Sequence, residues 1–342
     1  MSMEFERRLP IPKEVKEKFP LSSEAKFNKE KVDKELRDIF DGRSNKLVLI
    51  VGPCSADNKD SVLEYCNRLK KVQEKVKDKL LLIPRVYTSK PRSNGDGYKG
   101  MIFQPDPKGR PDTFKGVLFT RALHQKVLTD IGLSTADELL YPADYRYLDD
   151  LLSYVAVGAR SVENQEHRLV ASGVSAPVGM KNPTSGDMEV MLNAVDCARK
   201  AHTFIYRGWQ VSTTGNDYAH MILRGYTDSD RNVVSNYSHD SLIKLYVNAK
   251  VKGIENPSVI VDANHSNSNK NPFEQPRICR EVLDAAKEYS DVRTMLKGFM
   301  IESYLEDGCQ SVDGNVFGKS ITDPCLGWDK TEKLIYGIAG VI

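Results

Sequence analysis

Leu47-Val48-Leu49-Ile50-Val51, closed by Gly52-Pro53-Cys54, is the stretch on which the fold is decided. Every position in the run is apolar, so a strand here buries both of its faces, as strands of a parallel sheet do. Similar runs recur along the chain at 80–83 (LLLI, leading into Pro84-Arg85-Val86-Tyr87), 136–140 (ADELL), 155–160 (VAVGAR), 177–181 (PVGMK), 220–224 (HMILR), 258–262 (SVIVD) and 296–302 (LKGFMIE). Helical spacing lies between most of them. In 59–77 the apolar residues Val62, Leu63, Cys66, Leu69 and Val76 share one face, and 276–289 is a second amphipathic segment. Strand–helix alternation implies a parallel α/β sheet, and eight strand candidates favour closure into a (β/α)8 TIM barrel over an open sheet.

Two segments exceed a minimal barrel. Phe204-Ile205-Tyr206 and Trp209-Gln210-Val211 flank Arg207-Gly208, a pattern for a β-hairpin inserted before the sixth barrel strand, at about 202–216. Residues 1–45 are polar, with prolines at 10, 12 and 20, and read as an N-terminal extension that packs on something other than its own core, a subunit-contact or regulatory segment. The catalytic barrel is then 46–342.

Composition narrows the function. The 342 residues carry 49 Lys and Arg against 47 Asp and Glu, a formal charge of +2, which argues against a nucleic-acid binder. A hydrophobic content of 40% with 28% charged residues is ordinary for a globular chain. The six cysteines form no CxxC pair, the start of the chain lacks an apolar signal core, and no stretch nears 18 apolar residues, so a reducing cytoplasmic setting without membrane insertion is expected. No phosphate-cradling glycine loop of the nucleotide-binding kinds occurs.

The active site of such a barrel lies at the C-terminal ends of its strands. Reading past each apolar run yields two groups. Arg85, Lys90, Arg92, Arg160, Lys181 and Arg224 are six cations directed at one mouth. Like charges held that close need anions between them, and guanidinium forks suit phosphate and carboxylate. Six exceed the needs of one monophosphate, so two anionic substrates, or one with several anionic groups, are expected. Cys54, His265, Glu302 and Asp323 form a mixed thiol, imidazole and carboxylate set suited to a divalent metal. Taken singly, a strand-end Arg is usually a solvated charge, a Cys after Gly-Pro a small buried filler, and a lone His no ligand. Their recurrence at one topological position favours the functional reading.

These residues fall within segments that together resemble the type I 3-deoxy-D-arabino-heptulosonate 7-phosphate (DAHP) synthases, the phenylalanine- and tyrosine-sensitive kind. The segments are VGPCS at 51–55, RVYTSKPRS at 85–93, GYKG at 97–100, DELL at 137–140, VGARSVENQEHRLVASG at 157–173, PVGMKN at 177–182, HMILRG at 220–225, DANHSNSNK at 262–270, IESYLEDGCQ at 301–310 and GKSITDPCLGW at 318–328. The resemblance implies a condensation of phosphoenolpyruvate with erythrose 4-phosphate and water, giving DAHP and phosphate, at the entry to aromatic amino acid biosynthesis.

Carried over by position, Arg85, Lys90, Arg160, Lys181 and Arg224, with Gly158 and Ala159, resemble the phosphoenolpyruvate binders. Lys90, Pro91, Arg92 and Ser93 resemble the erythrose 4-phosphate loop; most relatives have Thr where Ser93 stands. Glu138 is similar to the family's active-site carboxylate, with Lys90, Cys54 and His265 also catalytic. Cys54, His265, Glu302 and Asp323 resemble the ligands of a divalent metal, foremost Mn2+, with Fe2+, Co2+ or Zn2+ as alternatives. Asp262 fits a partner of the ligand imidazole, and Asn264 stands where relatives commonly have Ser. Cys325 is expected near Cys54, where oxidation would join the two and expel the metal.

The resemblance further implies a homodimer or homotetramer and an aromatic amino acid effector near the hairpin, at Leu139, Pro142, Tyr145, Arg146, Ser175, Phe204 and Tyr206. Tyr206 is bulkier than the small hydroxyl residue common there, and Glu4 and Glu6 replace an adjacent Asp pair. Two other readings remain: the related synthase acting on arabinose 5-phosphate, against which the Lys90-Pro91-Arg92 motif argues, and a non-catalytic amino acid sensor, against which the full cation and metal sets argue.

Overall fold

A computed structural model describes residues 3–342. The chain enters through two helices, α1 (Pro12–Lys18) and α2 (Ser23–Phe40), and then alternates β1 (Leu47–Gly52), α3 (Lys59–Val76), β2 (Leu80–Pro84), α4 (Thr113–Lys126), β3 (Thr135–Glu138), β4 (Leu152–Val157), α5 (Gln165–Ala171), β5 (Val178–Lys181) and α6 (Met188–Ala198). A hairpin of β6 (Thr203–Tyr206) and β7 (Trp209–Ser212) follows, then β8 (His220–Leu223), a short ribbon of β9 (Tyr226–Thr227) and β10 (Val233–Val234), α7 (His239–Val251), β11 (Val259–Asp262), α8 (Gln275–Glu288), α9 (Ser290–Met295), β12 (Leu296–Glu302) and α10 (Trp328–Ala339).

Eight strands form one parallel sheet in the order β2-β1-β12-β11-β8-β5-β4-β3. Its two edges meet through a parallel bridge between Arg85 and Ala136, where the Val86 amide donates to the Ala136 carbonyl at 2.9 Å. The sheet therefore closes into the expected (β/α)8 barrel, with the antiparallel hairpin inserted ahead of the sixth barrel strand.

Alternation explains why the strands are apolar throughout. In β1, Val48 and Ile50 face the barrel interior with Leu81, Ile83, Ala156, Ile260 and Met300, whereas Leu47, Leu49 and Val51 face the helices. The helices start where the sequence supplies caps: the Asn58 side chain accepts from Asp60 N and Ser61 N at 3.0 Å, and Asp187 and Ser238 cap α6 and α7 in the same way.

Three expectations are corrected. The third strand runs Thr135–Glu138, starting one residue before the 136–140 run and ending two residues before its end, so that Glu138 closes it. Hydropathy misled because Leu139-Leu140 lie beyond the strand, while the polar Thr135 and Asp137 within it are buried against His124, at 2.7 and 3.2 Å. The fourth strand begins earlier, at Leu152, because the polar groups of Ser153 and Tyr154 find partners in the half-buried Asp33 and the buried His220. It stops at Val157, and Gly158 turns the chain by accepting from the amides of Ser161 and Val162.

The N-terminal segment is also not wholly outside the core. Leu36, Ile39 and Phe40 of α2 are buried in the same cluster as the barrel interior, closing its N-terminal end. The Phe40 ring lies 4.4 Å from that of His220. Burial pushes the His220 pKa down to about 3, despite its bond to the Tyr218 carbonyl, so the ring stays neutral and accepts from the Tyr154 hydroxyl at 2.8 Å. The apolar residues of α2 are few and separated by charged ones, which gave the segment its polar appearance.

Candidate active site

Strand ends deliver the functional groups. Glu138, Lys181, Asp262 and Glu302 are the last residues of β3, β5, β11 and β12. Arg85 follows β2, Arg224 follows β8, Cys54 lies just past β1, and Gly158-Ala159-Arg160 leave β4. The register sets Gly52 beside Glu302, which brings the Cys54 turn over that carboxylate.

These ends surround a cavity of about 770 Å³ lined by Cys54, Arg85, Lys90, Pro91, Arg92, Glu138, Gly158, Ala159, Arg160, Lys181, Arg224, His265 and Asp323, together with Tyr87, Thr184 and Lys270. All six strand-end cations thus share one chamber. Ser93 is exposed at its edge and accepts from Arg160 Nε at 2.8 Å.

The cations differ in how they are neutralised. Arg85 donates to Glu302 Oε1 at 2.7 Å, with both groups buried, and its guanidinium stacks 3.8 Å from the Tyr87 ring. Lys181 pairs with Asp262 at 3.0 Å and Lys90 with Asp323 at 3.2 Å. Arg92, Arg160 and Arg224 have no carboxylate within ion-pair distance among the described residues; they hold instead the Tyr98 carbonyl, the Ser93 hydroxyl and the Gly225 carbonyl. Burial pulls the Arg224 pKa down, as for a cation lacking a close counter-charge.

The proposed ligand set assembles in large part. Donor atoms of Cys54, Glu302 and Asp323 lie within 4.8 Å of one another, and His265 Nε2 is 3.7 Å from Glu302 Oε1. Asp262 Oδ2 is 2.8 Å from His265 Nδ1, a charge contact without hydrogen-bond alignment. His265 holds a left-handed backbone, φ 50°, that a non-glycine residue adopts only where its surroundings impose it. Asn264 Nδ2 donates to Glu302 Oε2 at 2.6 Å and so orients that carboxylate.

The donors suit a divalent cation, and one observation supports the fit. The Lys90 ammonium sits 2.6 Å from Cys54 Sγ and 3.2 Å from Asp323, a positive charge standing among the same atoms. Burial and the Glu302 carboxylate push the Cys54 thiol up. Burial would also raise Glu302 and Asp323, but Arg85 and His265 hold the first below the usual carboxylate range, and Lys90 and Lys270 hold the second there. A thiolate in this place needs a cation beside it.

Glu138 faces the same chamber. Burial raises its pKa, against the pull of Lys181 and Arg85. Gly158 leaves the place that Glu138 occupies: a Cβ there would stand 2.3 Å from Glu138 Oε1 and push that carboxylate aside. Beneath it, Asp137 accepts from the Thr88 amide at 3.0 Å, the Thr88 hydroxyl at 2.5 Å and the Glu138 amide at 2.7 Å, tying the Glu138 strand to the segment that carries Lys90.

Sequence reasoning gave no role to Asp137, Lys270, Thr184 or Tyr87. Lys270, whose Nζ is 3.0 Å from Asp323, stands five residues beyond His265 and could have been found as a further cation at that strand end. Asp137 carried no signal, since its partners are remote in sequence. The Cys54 amide donates to Cys325 Sγ at 3.4 Å, and both thiols are free.

The hairpin residues gather apart from the chamber. The Tyr206 hydroxyl donates to the Pro142 carbonyl at 2.6 Å, and Phe204 and Tyr206 lie with ring centres 6.4 Å apart. Burial pushes the Tyr145 hydroxyl up, with Ser175 opposing, while Arg146 pairs with Asp149 at 3.1 Å. Leu139 is buried below them.

Comparison with known proteins agrees with the site. A family model described as the DAHP synthetase I family matches residues 18–335. The Tyr-sensitive phospho-2-dehydro-3-deoxyheptonate aldolase of Escherichia coli (strain K12) is 37% identical over 339 residues, 96% of this chain and 92% of that protein. The Phe-sensitive enzyme of the same organism is 34% identical over 347 residues, 99% of this chain and 95% of its own length. A solved phospho-2-dehydro-3-deoxyheptonate aldolase from Francisella tularensis SCHU S4 superposes with a TM-score of 0.93 at 31% identity, covering 100% of this chain and 98% of its own. With a barrel, a cation-lined mouth and matches of this extent, the chain belongs to the DAHP synthetase I family of enzymes.

Proposed function

We propose that the chain condenses phosphoenolpyruvate with erythrose 4-phosphate and water to give DAHP and inorganic phosphate, with a divalent metal bound by Cys54, His265, Glu302 and Asp323. The observation that carries this reading is the pairing of three guanidinium groups lacking carboxylate partners with a thiol–carboxylate cluster in one chamber. The first suits two anionic substrates, the second a hard-to-soft divalent ion.

Arg85, Arg160, Lys181 and Arg224 hold the phosphate and carboxylate of phosphoenolpyruvate, with Gly158 and Ala159 leaving room beside Arg160. The 90–93 loop holds erythrose 4-phosphate through Lys90, Arg92 and Ser93, its turn stiffened by Pro91. When bound, the metal supplies Lewis acidity at the aldehyde oxygen. C3 of phosphoenolpyruvate attacks the aldehyde carbon, and the new C–C bond leaves charge on the aldehyde oxygen. Lys90, already beside Cys54 and Asp323, gives that oxygen its proton. Glu138, raised by burial toward the working range of a general base, holds the water that adds at C2 and takes its proton. The C2–O bond to the phosphoryl group then breaks with its electron pair going to phosphate, the C2 hydroxyl becomes the ketone, and its proton leaves with the phosphate.

Mn2+ is the favoured metal, with Fe2+, Co2+ and Zn2+ as alternatives. The thiol and imidazole favour borderline ions over Mg2+ or Ca2+. We also propose an aromatic amino acid effector near the hairpin, at Leu139, Pro142, Tyr145, Arg146, Ser175, Phe204 and Tyr206; the relatives' names, Tyr- and Phe-sensitive, support the class of effector. The same reading makes the protein a homodimer or homotetramer acting in the cytoplasm, in keeping with its six free cysteines.

Phosphate release by purified protein tests the proposal. Release is expected only with both substrates present, is lost after chelation and returns with Mn2+. Release with arabinose 5-phosphate alone as acceptor, or undiminished by chelator, would overturn it. The same assay with Phe, Tyr and Trp reads the effector.

A further inference from the structure

At the end of the barrel opposite the active site, a second, open cavity lies between the start of β1, the loop after α2, and helices α8 and α9. Its walls are apolar where they are deep, with Ile39, Leu47, Leu283, Ala286 and Leu296. Lys297, the second residue of β12, also lines it and is only 5% exposed. Five steps along the strand lead from Lys297 to Glu302, or roughly 16 Å, so the cavity is remote from the chemistry.

Lys297 has no partner in the protein for its charge: neither a hydrogen-bond acceptor nor a carboxylate stands within reach of its ammonium among the described residues. Its stem is buried while the ammonium keeps an opening to the cavity, so only solvent there answers it. Burial pulls its pKa down, with Asp41 opposing from a distance. Asp41, the one acidic side chain among the lining residues, is engaged by Arg43 at 2.6 Å, and the oxygen of Ile342, which also lines the cavity, is held by Lys79. At the rim, Arg293 is exposed and likewise has no carboxylate partner among the described residues, whereas Lys46 and Lys287 are paired with Glu35 and Asp284. The cavity therefore has an apolar body, one deep cation and one free guanidinium at its edge.

We propose that this cavity is a binding site for a small carboxylate with an apolar body, its carboxylate on Lys297 and Arg293 and its hydrocarbon against Leu47, Leu283 and Ala286. A bare inorganic anion would leave the apolar wall uncovered, and a neutral apolar molecule would leave Lys297 unanswered. The site is distinct from the substrate chamber, whose lining shares none of these residues.

The probe is 3-phenylpropionate, titrated calorimetrically into the full chain with inorganic phosphate present to fill the active-site guanidiniums. One site per chain is expected. The neutral 3-phenylpropanamide should bind at least about tenfold more weakly, and so should 3-phenylpropionate to Lys297→Met, since each removes a charge-assisted contact. Ala286→Trp, which fills the apolar part of the cavity and leaves the lysine in the chain, should abolish binding and serves if Lys297→Met does not fold. Both variants should retain phosphate release. No heat with the carboxylate, equal affinity for the amide, or unchanged affinity in either folded variant would overturn the proposal.

Discussion

Single positions carry much of the site, and Gly158 shows how. Its role is spatial: the Glu138 carboxylate occupies the volume a side chain would need. Gly158→Ala is therefore expected to displace Glu138 and cut kcat by about a hundredfold or more, because a catalytic group moved by about 1 Å loses its geometry. Thermal unfolding should change little, and an alanine variant with full activity would show that Glu138 is not held where it acts. At this scale the sequence was legible wherever a reactive residue followed an apolar run. Cys54, Arg85, Lys181, Arg224, His265 and Glu302 were found in that way, since strand direction alone sends them to one mouth. Asp137 and Asn264 are different. Their value lies in contacts with Thr88 and Glu302, residues 49 and 38 positions away, and no local pattern records such a pairing.

Elements were readable to the extent that their hydropathy was continuous. β1, β2, β11 and β12 are fully buried runs and stand where their composition places them. β3 was displaced because its outward residues are polar but satisfied by His124, so burial and hydropathy parted company. α2 was underrated for a related reason. Only its final turns, at Leu36, Ile39 and Phe40, enter the barrel, while the earlier turns are mostly charged and bury only Ala25 and Lys29. Phe40→Ala should then destabilise the protein by about 3–5 kcal/mol, as removal of a buried aromatic does. A denaturant titration reads this, and a loss below about 1 kcal/mol would mean the helix merely rests on the barrel. The hairpin is held from outside by Tyr206 on the Pro142 carbonyl, so its position relative to 142–147 rests on few bonds.

Over the whole molecule, near-neutral charge conceals a strongly uneven distribution. The formal charge is +2, yet six lysines and arginines predicted from strand ends converge on one chamber, with Lys270 as a seventh. Paired acids answer some of them, while Arg92, Arg160 and Arg224 remain open to substrate anions. Barrel closure produces this convergence, since it turns eight separate strand ends into one rim. What the whole fold adds beyond any element is the meeting of Cys54 from the first strand end with His265, Glu302 and Asp323 from the last two strands and the loop after them. Metal binding at this meeting point is open to direct spectroscopic reading. Apoprotein titrated with Co2+ should develop a near-ultraviolet thiolate-to-cobalt band that saturates at one ion per chain and is absent from Cys54→Ala. A band of equal strength in that variant, or stoichiometric Co2+ binding with no thiolate band, would contradict the ligand set on which the proposed chemistry rests.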